Sequence, residues 1–252
     1  MNRLLKFIRR IQGINAVQSE QIELKKKIVE IGKMQKEILN AHRFSDTIKD
    51  SMWLINKSFS AGGAALDYGA LYTMYRILDS IHPKNILEFG LGQSSKMIYQ
   101  YANHFNDVNA VTYEHDEEWI SFFKGIVKDQ YPVNIYKTDL QETVYNGHKT
   151  LSYKNNCEEL LSSKFDFIFV DGPFGSEHYS RPQILHLIPY VLDKTFCVMI
   201  DDEGRKGEQE TISDMERILN DNRIDYYKRV YCSMKNHIVI CSKDLRFLTT
   251  EL

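Results

Sequence analysis

The chain reads as an α/β protein: a mostly parallel sheet with helices on both faces, closed at one edge by an antiparallel hairpin and preceded by a helical extension. Three features predict this. From Asn85 onward, short apolar runs of strand character alternate with stretches of helical spacing. The last two strand-like runs flank a single turn, Met234-Lys235-Asn236. The N-terminal segment instead repeats its apolar residues every three and four positions, a period no strand produces.

In the opening run MNRLLKFIRRIQ, Leu4, Leu5, Phe7, Ile8 and Ile11 fall on one side of a helical wheel, and Arg3, Lys6, Arg9 and Arg10 on the other. Heptads follow. Ile14, Gln21, Ile28 and Gln35 hold one seam position, and Val17, Leu24, Ile31 and Ile38 hold the other. Glu and Lys crowd the outer positions, so the spacing predicts a self-associating coiled coil. Gly13 and Gly32 weaken that helix, and the two seam glutamines trade stability for register. The basic face of the first turns predicts peripheral contact with an anionic membrane. A polar, mixed stretch follows from His42 to Asp50. Next come Trp53 to Gly63, with the loop Ser60-Ala-Gly-Gly, and a helix over Tyr68 to Ile81 whose Leu71, Met74, Tyr75 and Leu78 share a face that Pro83 ends. The expected divisions are residues 1–45 for the coiled-coil segment, 46–84 for a helical lead-in and 85–252 for the main domain.

Within that domain the predicted order is strand 85–90, helix 94–104, strand 110–114, helix 117–129 and strand 133–139. The most apolar strand follows at 165–172, then a helix from Pro182 to Leu192, a strand at 196–202, a helix at 209–220 and the two closing strands. Hydrophobic residues at 43% and charged ones at 26% suit a soluble globular chain, and the net charge of -2 gives no bulk reason to expect a nucleic-acid partner. Cys157, Cys197, Cys232 and Cys241 form no C-x-x-C pair, which predicts a reducing, cytoplasmic setting rather than a zinc or disulfide framework. No apolar run approaches the ~20 residues of a spanning helix, and the N-terminus lacks the apolar core of a secretory signal.

The chemistry-bearing motifs sit at strand ends. Glu88-Phe-Gly90-Leu-Gly92-Gln-Ser94 lies where a strand runs into a helix, and its glycines let the backbone approach a ligand at that helix's amino end. Glu114 ends the second strand at the distance where an acid accepts hydrogen bonds from ribose hydroxyls, with His115 beside it. Thr138-Asp139 ends the third. Asp171 ends the central apolar strand, where ligands collect in open α/β sheets, and Asp201-Asp202 end its neighbour. Three carboxylates on adjacent strand ends repel unless protonated, paired or bound to a cation, and oxygen ligands of this kind suit Mg²⁺ or Mn²⁺. In the loop beyond Asp171, His178 is the titratable candidate for general base.

An acid followed by G-x-G in this setting resembles the first motif of class I, Rossmann-like methyltransferases that use S-adenosylmethionine (SAM). The resemblance implies Glu88, Gly90, Gly92, Ser94, Glu114, His115 and Asp139 as cofactor-binding residues. DFIFVD with an acidic strand end one strand later is similar to metal-dependent caffeoyl-type O-methyltransferases, which implies Asp171, Asp201 and Asp202 as metal ligands. Asp202 stands where that group usually has Asn, and no lysine follows Asp171 closely. Phe89-Gly-Leu-Gly92, the acids from Glu114 to Glu118, and Asp171-Gly-Pro173 with Arg181-Pro182 resemble glucuronoxylan-type and bacterial surface-polysaccharide methyltransferases over about residues 60–240. The expectation is O-methyl transfer to a sugar hydroxyl at the cytoplasmic membrane face, with Asp171, His178 and Asp201 catalytic. The rival expectations are a metal-dependent small-molecule O-methyltransferase, and a non-catalytic module that organises glycan-synthesis partners through its coiled coil.

Overall fold

A computed structural model describes residues 2–63, 65–127, 132–154 and 157–250. Its elements are α1 (Asn2–Ile48), α2 (Tyr68–Ile81), β1 (Asn85–Phe89), α3 (Gln93–His104), β2 (Asn109–Glu114), α4 (Glu117–Val127), β3 (Ile135–Lys137), β4 (Leu140–Tyr145), β5 (His148–Tyr153), α5 (Cys157–Leu161), β6 (Phe165–Val170), α6 (Gln183–Leu187), β7 (Leu192–Ile200), α7 (Lys206–Asp221), β8 (Tyr226–Cys232) and β9 (Asn236–Ser242), with a closing 3-10 segment, Lys243–Thr249. Seven strands form one sheet in the order β3-β2-β1-β6-β7-β9-β8. The first five run parallel, and β9 pairs antiparallel with both β7 and β8. This is the Rossmann-like arrangement the sequence predicts, hairpin included.

The alternation of buried residues explains the layering. Ile86, Phe167, Phe169, Cys197, Met199 and Val239 face a core shared with α2, α3, α4 and the end of α1. Their neighbours Leu87, Phe89, Ile168, Val170, Val198 and Ile200 face the other core, under α6 and α7. Both faces are covered, so the central strands are apolar throughout. α2 begins at Asp67, whose carboxylate caps Ala70 N at 2.8 Å and also accepts from Lys235 N at 2.9 Å. One acid thus ties the lead-in helix to the turn of the closing hairpin.

Four features differ from or add to the sequence expectation. The polar stretch from His42 to Ile48 continues α1, because Phe44 and Ile48 extend the helical spacing onto the body and no Gly or Pro interrupts it. The third strand keeps only Ile135–Lys137. The helix after Pro182 stops at Leu187, since Pro189 disfavours helical geometry at Ile188, and Leu192 already belongs to β7. A second, two-stranded sheet of β4 and β5 stands apart from the main one, its register centred on the turn Asn146-Gly147 with both residues at positive φ (48° and 81°). The predicted helix end at residues 128–129 lies outside the described residues.

α1 anchors to the body only near its end. Glu37 accepts hydrogen bonds from Tyr68 N and Ser233 Oγ, and buried Asn40 donates to Ser233 Oγ at 2.8 Å. Val17, Leu24, Ile28 and Ile31 of the heptad seam remain more than half exposed. Among the described residues no helix is long and apolar enough to cross a membrane.

Candidate functional site

A cavity of about 660 Å³ opens at the carboxyl ends of β1, β2, β6 and β7. One wall is the β1–α3 turn. Gly90 sits at φ 95°, and a Cβ there would lie 2.9 Å from the backbone of Asp171 and Gly172. A Cβ on Gly172 would lie 2.6 Å from Gly90 Cα. The ends of β1 and β6 therefore touch backbone to backbone, and only glycine permits it. Gly92 and Ser94 line the cavity at the start of α3.

Glu114 faces this turn from the end of β2. It is 5% exposed, and its carboxylate accepts from Leu91 N at 2.9 Å, His115 N at 2.6 Å and Asp116 N at 2.9 Å. Three backbone N–H groups fix the carboxylate, two of them on Oε1 and one on Oε2, so Oε2 keeps acceptor capacity. His115 also lines the cavity, its ring edge-on to the exposed Phe174 with centroids 4.9 Å apart. Trp119 donates from Nε1 to Leu91 O at 2.7 Å, bracing the turn from α4. Tyr153 forms part of the wall, and its buried hydroxyl has no hydrogen-bond partner among the described residues.

Glu88, expected at the cofactor, lies beneath the turn rather than in the cavity wall. It is wholly buried and accepts from Ser94 Oγ and Thr112 Oγ1, both at 2.7 Å. It acts on the site by fixing Ser94. Burial pushes its carboxyl from the ordinary 4.5 up to about 7, against the lowering effect of those hydrogen bonds. A raised folded value means the proton stabilises the fold. That contribution is full below about pH 4.5 and is lost as pH rises toward 7. Glu88→Gln should therefore flatten the fall in unfolding free energy between pH 5 and 8, by up to roughly 3 kcal/mol at the alkaline end, as read by denaturant titration. A parallel decline in both proteins would contradict this.

Besides Glu88, the expected site residues Asp139 and His178 also lie outside the cavity lining. Asp139 follows β3, which ends early, and its exposed carboxylate pairs with Lys137 Nζ at 2.6 Å. His178 is drawn away by the β4–β5 hairpin. Thr150 Oγ1 donates to Tyr179 O at 2.7 Å, Leu151 N donates to Ser176 Oγ, and the His178 ring stacks on His148 at 3.9 Å. Its Nδ1 lies 2.9 Å from Glu210 Oε1, and the residue is not part of the cavity lining.

The three strand-end acids do converge. Asp171, Asp201 and Asp202 each place an oxygen within 4.8 Å of the others. Among them lies the guanidinium of Arg181, 4% exposed, whose Nη2 donates to Asp171 Oδ1 and to Asp202 Oδ2, each at 3.1 Å. Arg205 Nη1 is 2.9 Å from Asp202 Oδ2, and Lys235 Nζ is 3.7 Å from Asp201 Oδ2 and 3.8 Å from Asp202 Oδ1. The acids are already paired with three cations, and a divalent ion does not fit beside the guanidinium as it stands. Asp201 sits below the cavity wall, 1% exposed, and its carboxylate oxygens have no hydrogen-bond partner among the described residues. Desolvation, reinforced by Asp171 and Asp202, pushes it well above the usual carboxylate value. Asp171, 21% exposed, opens to the cavity, and burial opposed by Arg181 sets it at about 6. Sequence reasoning missed Arg205, Lys235, Phe174 and Trp119. The spacing Asp202-x-x-Arg205 was a signal for the first, whereas nothing local marks Lys235, which arrives from the hairpin turn.

No family model and no curated protein matches the chain. Among solved structures it is similar to a SAH-bound methyltransferase from Podospora anserina, at 16% identity and TM-score 0.49 over 84% of this chain and 88% of that one. It is also similar to an O-methyltransferase from Bacillus cereus in complex with SAH (14%, TM-score 0.47, 83% and 91%) and to a methyltransferase from Pyrococcus furiosus (16%, TM-score 0.46, 82% and 96%). At these values the likeness says nothing about chemistry, which has to come from the cavity itself.

Proposed function

We propose that the chain is a SAM-dependent O-methyltransferase acting on a sugar hydroxyl in surface-polysaccharide assembly. The observation that carries this reading is one cavity lined together by Glu114, the Gly90–Gly92 turn and Asp171. The residues present fit the cofactor. Glu114 presents an anchored carboxylate with Oε2 still able to accept from a ribose hydroxyl, the glycine turn lets a ligand lie against bare backbone, and the orphaned Tyr153 hydroxyl offers a buried polar contact. SAM, when bound, supplies an electrophilic methyl group on a sulfonium. The protein's part is to orient and to take a proton. Asp171, fixed at Oδ1 by Arg181, is the group placed to receive the acceptor's hydroxyl proton.

A carbohydrate acceptor is supported by the polar groups around Asp171, where Arg205 and Lys235 also line the cavity and offer hydrogen bonds, and by Phe174, 65% exposed, whose ring offers a flat face. Mass spectrometry of the cell's glycans with and without the gene tests this. A methyl increment that vanishes with the gene supports the reading, and an unchanged glycan contradicts it.

The projecting part of α1 supports self-association, since its exposed Leu24, Ile28 and Ile31 have no covering surface in a single copy. Deleting residues 1–34, short of Glu37 and its body contacts, should give a smaller species by light scattering and leave cofactor affinity intact. An unchanged mass would contradict the coiled coil. In the same reading the exposed Arg3, Lys6 and Arg10 hold the assembly at an anionic membrane face, and salt-insensitive or absent vesicle binding would oppose it.

A further inference from the structure

We propose that Arg181 takes the place of a divalent ion in the acid cluster, so that the site is neutralised by its own side chains and binds no metal. The inference rests on the reading of the cavity as a methyl-transfer site, and it concerns what holds the acids together there. Three oxygens within 4.8 Å on Asp171, Asp201 and Asp202 form the kind of set that oxygen-seeking cations occupy. Yet one Nη2 stands 3.1 Å from carboxylates of both Asp171 and Asp202, bridging two strand ends as an ion would. Two of the three remaining N–H donors of the guanidinium are committed as well. Nε donates to Pro173 O at 3.2 Å, and Nη1 to Asp201 O at 3.1 Å. A guanidinium anchored at four points does not swing aside for an ion as an exposed side chain would.

The backbone points the same way. Arg181 and Asp202, the two ends of one ion pair, both hold positive φ, 59° and 62°. Such conformations cost energy in residues other than glycine and persist where the surroundings over-determine them. Here Ser180 and its neighbours lock the Arg181 loop, with Ser180 N donating to Gly207 O and Thr211 Oγ1 donating to Ser180 O at 2.7 Å. Arg205, just ahead of α7, and Lys235, in the β8–β9 turn, then flank the bridged pair, adding charge that would repel an incoming cation. An internal cation differs from a metal in one consequential way. It fixes the acids and the acceptor's surroundings but offers no exchangeable coordination position.

The test is Mn²⁺ binding followed by electron paramagnetic resonance, with Mn²⁺ alone as probe. The full-length chain should leave the signal of free Mn²⁺ undiminished. Arg181→Met removes the bridging charge and keeps a similar length, so it should capture one ion per chain at least ~10-fold more tightly than the unaltered protein, and adding Asp202→Asn should abolish the capture. Stoichiometric binding by the unaltered protein, lost in Asp202→Asn, would overturn the proposal. So would a folded Arg181→Met protein that still ignores Mn²⁺, because the place would then not be an ion's. Arg181→Gln serves the same comparison if the methionine variant does not fold, and the unaltered protein's own titration decides independently of either. SAH titration reads cofactor binding, so failure of the methyltransferase reading is seen separately.

Discussion

Replacing Glu114 by alanine is expected to weaken SAH binding about a hundredfold, equivalent to about 2.7 kcal/mol. Two losses combine. The ribose hydroxyls lose a charged acceptor, a bond type worth about 1.5–3 kcal/mol. The N–H groups of Leu91, His115 and Asp116 also lose the carboxylate that aligns the turn with β2. Glu114→Gln keeps one carbonyl acceptor and should lose closer to tenfold. Calorimetric titration of the three proteins checks the order. Equal affinities would place the cofactor elsewhere.

Gly90→Ala should have the largest effect on the fold itself. The added methyl meets two costs together, a φ of 95° that side chains resist and a 2.9 Å approach to the backbone of Asp171 and Gly172. Backbone at both strand ends has to separate, and a loss of roughly 3–5 kcal/mol follows, shown as an early denaturant midpoint. Gly92→Ala is the internal control. A Cβ there meets only Ser94 Oγ at 3.8 Å, and its φ of -161° is ordinary extended backbone. Stability should hold to within about 0.5 kcal/mol, while cofactor affinity falls because the methyl protrudes into the cavity. Equal stability of the two variants would show that the β1–β6 crossing is not tight.

The sheet was legible because burial on both faces leaves runs such as Phe165–Val170 with nothing else to be, and because Met234-Lys235-Asn236 leaves room only for a turn. The Asn146-Gly147 pair, a strong hairpin signal, was also present, but strands on either side of it rich in charged and polar residues hid it. That omission had a cost at the site. The hairpin binds the Ser176–Tyr179 loop and so places His178 outside the cavity lining, a position the loop sequence alone does not show. Glu114 was readable from strand-end logic. The depth of Glu88 was not, since the same G-x-G spacing serves an acid in the wall or one below it. Lys235 reaches the cluster from beside β9, 34 residues after Asp201 in the chain, and only the sheet order brings them together.

Titrating the purified full-length chain with SAH and, separately, with NAD⁺ tests the central claim most directly. The predicted result is one SAH per chain at micromolar strength, about 8 kcal/mol, competed by SAM and lost in Gly90→Ala, with no heat from NAD⁺. NAD⁺ binding in place of SAH, or SAH binding that Glu114→Ala leaves untouched, would contradict it.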